Sequence, residues 1–288
     1  MSYKLIAIDL DGTLLSPHGN VTLRVKTAVH RVLASGMFVC FATGRNWTES
    51  RVVLEAVDHF DHAVFVGGAM VVDTKREVTL HRTLMEPSLA AEVCELLEAS
   101  GHAVLALQDH QAAGVDYLIS GDFEPNVSTQ LWMAISRAKV RRVERLAQCD
   151  HQHTIRLGIV AQPAETERVQ KELDHRFGGR VFCHSITVGG QGVEVLEIFD
   201  PSVNKWEGIM HVARAHDISP EEIVAVGDDL NDLHMLRNAG LGVAMGNAHP
   251  EAKAAAKRII GSNGEEGLAL FLDELVETGA IASAIESR

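Results

Sequence analysis

The chain has 288 residues, 46% of them hydrophobic and 23% charged, with a formal net charge of −13. That length accommodates one large or two medium domains, and the composition is ordinary for a globular protein. An acidic chain whose basic residues nowhere run beyond pairs such as Arg141-Arg142 argues against nucleic acid as a partner, and no apolar run approaches a membrane span. Cys40, Cys94, Cys149 and Cys183 are widely spaced, and Cys40 sits in the apolar run Met37–Phe41, which reads as core. Met-Ser-Tyr-Lys leads straight into the first apolar run, so no signal peptide and a reducing cytoplasm are expected. Fifteen histidines are scattered along the chain. The close pairs His59/His62 and His151/His153 lack the Cys or carboxylate set of a zinc site and read as solvated surface residues.

The first element is the apolar run from Lys4 to Ile8, short enough for a strand buried on both faces. It ends in Asp9, Asp11 and Gly12. Two acids two residues apart leave extended backbone on the same side, and Gly12 permits a sharp turn. A hard-oxygen pocket for Mg²⁺ and a plain Asp/Gly turn are both compatible with that pattern. Val21–Ser35 has helical spacing and stops at Gly36. Met37–Ala42 is a second buried strand, closing in Thr43-Gly44-Arg45. In open α/β sheets ligands bind at the carboxyl ends of strands, and a threonine hydroxyl, a glycine N–H and a guanidinium make a small anion cradle. A Thr-Gly turn before a helix has the same sequence. Trp47–Val57 reads as a helix, Ala63–Val66 as a third strand ending in Gly67-Gly68-Ala69, and Val71–Leu80 as a hairpin.

From about Arg82 the pattern changes. Pro87–Ser100 is an amphipathic helix, and His102–Gln108 and Gly114–Ile119 are strands. Asp122–Gln148 is less regular; within it Leu131-Trp132-Met133 carries no assignment, and the basic stretch Arg137–Arg145 reads as a solvated helix face. Thr154–Ala161 is a strand, Pro163–Phe177 a helix, and Val181–Thr187 with Val193–Phe199 a hairpin about Gly189-Gly190-Gln191-Gly192. No strand here ends in a polar motif, so an α+β insertion with its own layer fits best.

Polar strand ends return after Asp200-Pro201. Asn204 is a plausible cap for a helix over Trp206–Ala215 opened by Lys205. A cation at a helix N-terminus is electrostatically misplaced unless it faces an anion or simply points to solvent. Glu222–Val226 is the last strongly apolar strand. It closes in Gly227-Asp228-Asp229-Leu230-Asn231-Asp232, followed by the helix Leu233–Ala239. Three carboxylates so close repel one another unless a cation neutralises them; a solvated acidic loop is the simpler alternative.

Asp9-Leu10-Asp11-Gly12-Thr13-Leu14-Leu15 resembles the first motif of the haloacid dehalogenase superfamily, Mg²⁺-dependent phosphohydrolases that use an aspartate nucleophile. Thr43-Gly44-Arg45 resembles the second motif, Lys205 by position the third, and Gly227–Asp232 closely the fourth, Gly-Asp-x-x-Asn-Asp. Gly242–Ala248 is similar to the segment that follows in the Cof-like branch, and Asn263–Gly267 more roughly to its closing loop. Two positions depart from the pattern: Gly67 stands where relatives carry Asn, and Trp206 where Gly usually follows the lysine.

The resemblance implies an α/β fold, a Rossmann-like parallel-sheet core domain (1–82 and 189–288) with an inserted α+β cap domain (83–188). It implies a phosphatase for phosphate monoesters of small metabolites, sugar phosphates foremost. Asp9 would be the nucleophile, and Asp11 the acid and base. Mg²⁺ would be held by Asp9, the backbone carbonyl of Asp11, and Asp228, with Asp229 and Asp232 in support. Thr43, Gly44, Lys205 and Asn231 would bind the phosphate. A phosphomutase of the same superfamily and a non-enzymatic phospho-aspartate switch are the alternatives; Asp11 and the insertion speak against the switch. His184, Arg156 and Asp122 are substrate-selecting candidates by type only and receive no role. Neither the substrate nor the oligomeric state is readable.

Overall fold

The computed structural model describes residues 3–59, 61–120, 124–127, 129, 130, 133, 138–188 and 192–278. Asp122, Leu131, Trp132, Arg137 and Gly189-Gly190-Gln191 lie outside them. The chain divides into two compact units, Met1–His81 with Asn204–Arg288, and Arg82–Val203.

The first segment of unit 1 runs β1 (Leu5–Ile8), α1 (Leu23–Ala34), β2 (Phe38–Phe41), α2 (Trp47–Ala56), β3 (His62–Phe65), β4 (Met70–Asp73) and β5 (Val78–Arg82). All four residues of β1 are buried, as the unbroken apolar run requires. Thr22 accepts from Val25 N–H to start α1, and an Asn46/Glu49 capping box starts α2.

Unit 2 contains α3 (Pro87–Ala99), β6 (Leu105–Gln108), α4 (His110–Ala113), β7 (Tyr117–Ser120), β8 (Val140–Val143), β9 (Thr154–Ala161), α5 (Pro163–Phe177), β10 (Phe182–Val188) and β11 (Val193–Phe199). Its six strands pair in the order β10-β11-β9-β6-β7-β8, antiparallel except for β7 with β8. Val93 and Leu97 of α3 and Val169 and Leu173 of α5 pack with Leu157, Ile159 and Leu196 into one apolar cluster.

The chain returns to unit 1 through α6 (Lys205–Ala215), β12 (Ile223–Gly227), α7 (Leu233–Asn238), β13 (Leu241–Ala244), α8 (Pro250–Ala255), β14 (Arg258–Ile259) and α9 (Gly267–Glu277). β14-β13-β12-β1-β2 form a five-stranded sheet, parallel throughout, in which Leu5 lies opposite both Ile223 and Phe38. β3, β4 and β5 make a separate three-stranded sheet, tied to the main one by the parallel bridge Ala42–Val64.

Three expectations are corrected. A boundary at 188/189 would cut the β10–β11 hairpin, whose seven-residue ladder keeps β11 in unit 2; that unit ends at Val203. Val140–Val143, inside the basic stretch, is an edge strand rather than a helix face. Its two arginines between valines serve an edge equally well, because charge there discourages further pairing. His59 and His151 are buried, not solvated. The His151 ring spends both nitrogens, on Leu146 O at 2.8 Å and Thr154 Oγ1 at 3.0 Å.

Candidate active site

β12, β1 and β2 are consecutive in the sheet, so the residues following their carboxyl ends meet although they are far apart in sequence. Asp9 N–H donates to Val226 O at 3.0 Å, carrying the ladder one residue past β1. The backbone then makes one wide turn, with Leu14 N–H donating to Asp9 O and Leu15 N–H to Leu10 O. Gly12 has φ +76°, and a Cβ there would stand 2.1 Å from Asp228 Oδ2. Both backbone shape and proximity exclude a side chain.

Lys205, 1% exposed, is the centre of the cluster. Its Nζ donates to Asp9 Oδ1 at 2.6 Å and to Asp232 Oδ1 at 2.7 Å. The apparent electrostatic misplacement at the α6 N-terminus is thereby resolved, because the ammonium faces two carboxylates. Asn204 caps that helix as expected, accepting from Glu207 N–H at 3.1 Å. Asp232 turns its other oxygen to the N–H groups of Asp228 and Asp229, at 2.8 and 3.0 Å. Asp228 Oδ1 accepts from Thr13 Oγ1 at 3.0 Å.

Oxygens of Asp9, Asp228 and Asp232 lie within 4.8 Å of one another. Burial, reinforced by the Asp232 and Asp228 charges and only partly offset by Lys205, holds the Asp9 carboxyl well above the usual carboxylate range. Burial and then Asp232 push Asp228 up to about 7. For Lys205 burial pulls the other way, but Asp232 and Asp9 keep the ammonium above its ordinary value. Three carboxylates against one ammonium make a hard-oxygen set short of positive charge, which fits a divalent cation.

Asp11 is placed differently from Asp9. Its carboxylate is exposed and receives both Nε and Nη2 of Arg45, at 2.8 and 2.5 Å. Thr43 is buried, its Oγ1 accepting from Arg45 N–H at 3.1 Å. A Cβ on Gly44 would lie 3.8 Å from Asn231 Nδ2, so the amide and the Thr43-Gly44 loop are neighbours. Asn231 Oδ1 is buried without a hydrogen-bond partner among the described residues. Asp229 caps its own short turn, accepting from Leu230 N–H at 2.7 Å.

Sequence reasoning gave Thr13, Asn247 and Asn263 no role and read the Arg45 guanidinium as part of an anion cradle. Thr13 orients Asp228, and Arg45 holds Asp11. Asn247 Nδ2 donates to Gly12 O at 2.9 Å, while its Oδ1 accepts from Asn263 N–H at 2.9 Å. Asn263 in turn bonds Leu15 O at 2.8 Å. The segments 242–248 and 263–267 therefore latch the first motif. Their signal was two asparagines beside glycines, too common to assign without the contacts. The departure at Trp206 also has a reason. Trp206 is buried in the apolar cluster of unit 1, and the close approach of α6 falls two residues later. A Cβ on Gly208 would stand 2.5 Å from Val64 Cγ1 and 3.2 Å from the Gly68 backbone. Gly67 keeps a left-handed backbone with φ +63° and donates its N–H to Thr43 O at 3.0 Å.

A fold with charged strand ends of this kind has known counterparts. The profile of the haloacid dehalogenase-like hydrolases matches residues 6–272, and the chain belongs to that family. Among its relatives is a 5-amino-6-(5-phospho-D-ribitylamino)uracil phosphatase of Bacillus subtilis, 27% identical over 95% of this chain and 98% of the other. Another is an HMP-PP phosphatase of Citrobacter koseri, 26% identical over 93% and 94%. The crystal structure of a haloacid dehalogenase-like hydrolase from Bacteroides thetaiotaomicron superposes with a TM-score of 0.79 at 21% identity, covering 95% of this chain and all of that one. The protein is an enzyme, a phosphatase of this hydrolase family. No helix among the described residues is long and apolar enough to cross a membrane.

Proposed function

We propose that the chain is a Mg²⁺-dependent phosphohydrolase that cleaves phosphate monoesters of small metabolites, sugar phosphates foremost, through an aspartyl-phosphate on Asp9. The observation that carries this reading is the Lys205 ammonium buried between Asp9 and Asp232, with Asp228 beside them at the carboxyl edge of a parallel sheet. Phosphorylated small molecules named in its relatives support the substrate class.

In the proposed cycle an Asp9 oxygen attacks phosphorus as the bond to the ester oxygen breaks, and Asp11 gives that oxygen a proton. Asp11 then takes a proton from the water that attacks the aspartyl-phosphate. Inorganic phosphate leaves and Asp9 is restored. The guanidinium of Arg45, which now holds Asp11, suits a phosphoryl oxygen as well, so substrate entry would release Asp11 for its task. Thr43, Gly44, Lys205 and Asn231 would face the phosphoryl oxygens, and Lys205 also favours the ionised form of Asp9 against the burial that opposes it. Asp9 and Asp228, with the Asp11 carbonyl, would hold Mg²⁺, which when bound neutralises charge shared by the carboxylates and the phosphate. Asp232, both of whose oxygens are already engaged, and Asp229 would support them. A cytoplasmic enzyme acting on diffusible metabolites is the setting that fits.

The test is inorganic phosphate release from sugar phosphates, nucleotides and an aryl phosphate, with Mg²⁺ and with excess chelator. Metal-dependent release is expected from at least one class. Failure across the panel, with Asp9 still able to accept phosphate from a reactive donor, would replace hydrolysis with phosphoryl transfer to a sugar.

A further inference from the structure

On unit 1, His62 and Asp61 at the start of β3 come against His216 at the end of α6. His62 Nδ1 and His216 Nε2 are 3.5 Å apart, with ring centres separated by 5.5 Å, so ring nitrogens rather than ring faces meet. The Asp61 carboxylate stands 3.8 Å from the same His62 nitrogen. Two imidazoles on one tetrahedral Zn²⁺, each about 2.05 Å from the metal, hold their nitrogens about 3.3 Å apart. The observed separation needs a shift of tenths of an ångström to meet that geometry. His216 is fixed by Phe38, whose ring centre lies 4.1 Å away. His62 also lines a cleft of about 350 Å³ together with Asp61, Asp73, Lys75 and Arg76.

We propose that His62 and His216, with Asp61 beside them, form a binding site for an imidazole-preferring divalent metal of the Zn²⁺ class, apart from the carboxylate cluster. In the metal-free protein one proton bridges the two nitrogens. On binding that proton moves to the other nitrogen of the same neutral ring, and both facing lone pairs turn to the metal, water completing the coordination. Softer imidazole ligands separate this site from the all-oxygen set of Asp9, Asp228 and Asp232, which prefers Mg²⁺. The site would staple the start of β3 to the end of α6, the helix that carries Lys205 at its other end. It does not depend on the phosphatase reading.

The experiment is a Zn²⁺ titration by calorimetry in excess Mg²⁺, which occupies the carboxylate cluster. One saturable equivalent is expected for the wild type, with a rise in melting temperature. His62→Gln and His216→Phe abolish that equivalent, and Asp61→Asn weakens it about tenfold. His216→Phe keeps a ring against Phe38; should it fail to fold, His62→Gln carries the test. A wild type without saturable binding, or histidine variants that bind Zn²⁺ as well as the wild type, would leave only an imidazole–imidazole hydrogen bond and overturn the proposal.

Discussion

Each unit buries an ion cluster in its sheet layer, and the two are built to different ends. In unit 2, Arg156 of β9 pairs with Glu197 of β11 and donates to the Tyr117 hydroxyl at 3.0 Å. There a single guanidinium is set against a single carboxylate, both buried, with the Tyr117 hydroxyl beside them. In unit 1, Lys205 meets Asp9 and Asp232 with Asp228 close by, and two of those carboxyls are pushed upward by burial and by one another. Balanced charge stabilises a sheet, whereas an excess of negative charge held rigidly at a sheet edge is stored binding capacity for a cation.

The sharpest way to break that contrast is to remove each cation. Lys205→Met should cut phosphate release by about 10²–10³-fold, the scale of a lost preorganised donor, and Mg²⁺ should become more necessary for stability. Arg156→Ala leaves Glu197 buried without its guanidinium and should cost about 3–5 kcal/mol in urea unfolding of unit 2. The double variant Arg156→Met/Glu197→Leu should recover most of that loss. If Arg156→Ala unfolds like the wild type, the pair is not structural.

His59 offers a control in unit 1 away from the carboxylates. Its ring is 2% exposed and packs edge-on to Phe41 at 4.8 Å, and burial lowers its pKa to about 4. The folded state therefore favours the neutral ring. The resulting stability is complete above about pH 6.5 and is lost as pH falls towards 4, to a total of about 3 kcal/mol. His59→Phe should flatten the pH dependence of urea midpoints over that window. Smaller still, Gly12→Ala should cost about 1–3 kcal/mol through its positive φ, and it should lower activity by displacing Asp228. Equal loss of activity in a glycine-neutral position such as Gly19, also at positive φ but with nothing near its Cβ, would remove the proximity argument.

The same contrast explains what could be read before the fold was in hand. Asp9, Asp228 and Asp232 were legible because buried-type strands ending in acids are costly without a purpose, and because their spacing resembles a known pattern. Lys205 was legible as a cation at the wrong end of a helix and, by position, as the third motif; that it lies between Asp9 and Asp232 depends on α6 packing against β3 and β4. Asp11 and Arg45 looked like separate motif members and turn out to hold each other. His59 and His151 gave no periodic signal of burial, since a histidine enters a core whenever its nitrogens find partners. The Arg156–Glu197 pair crosses between strands 41 residues apart, and neither residue carries a local signature.

In the proposed mechanism Asp9 takes the phosphoryl group. This is tested most directly by phosphate release from the best substrate at saturating Mg²⁺, comparing wild type with Asp9→Asn. Asp9→Asn should lower that release by more than about 10⁴-fold while retaining the circular-dichroism spectrum of the folded wild type. Turnover within about tenfold of wild type would assign the chemistry to another group.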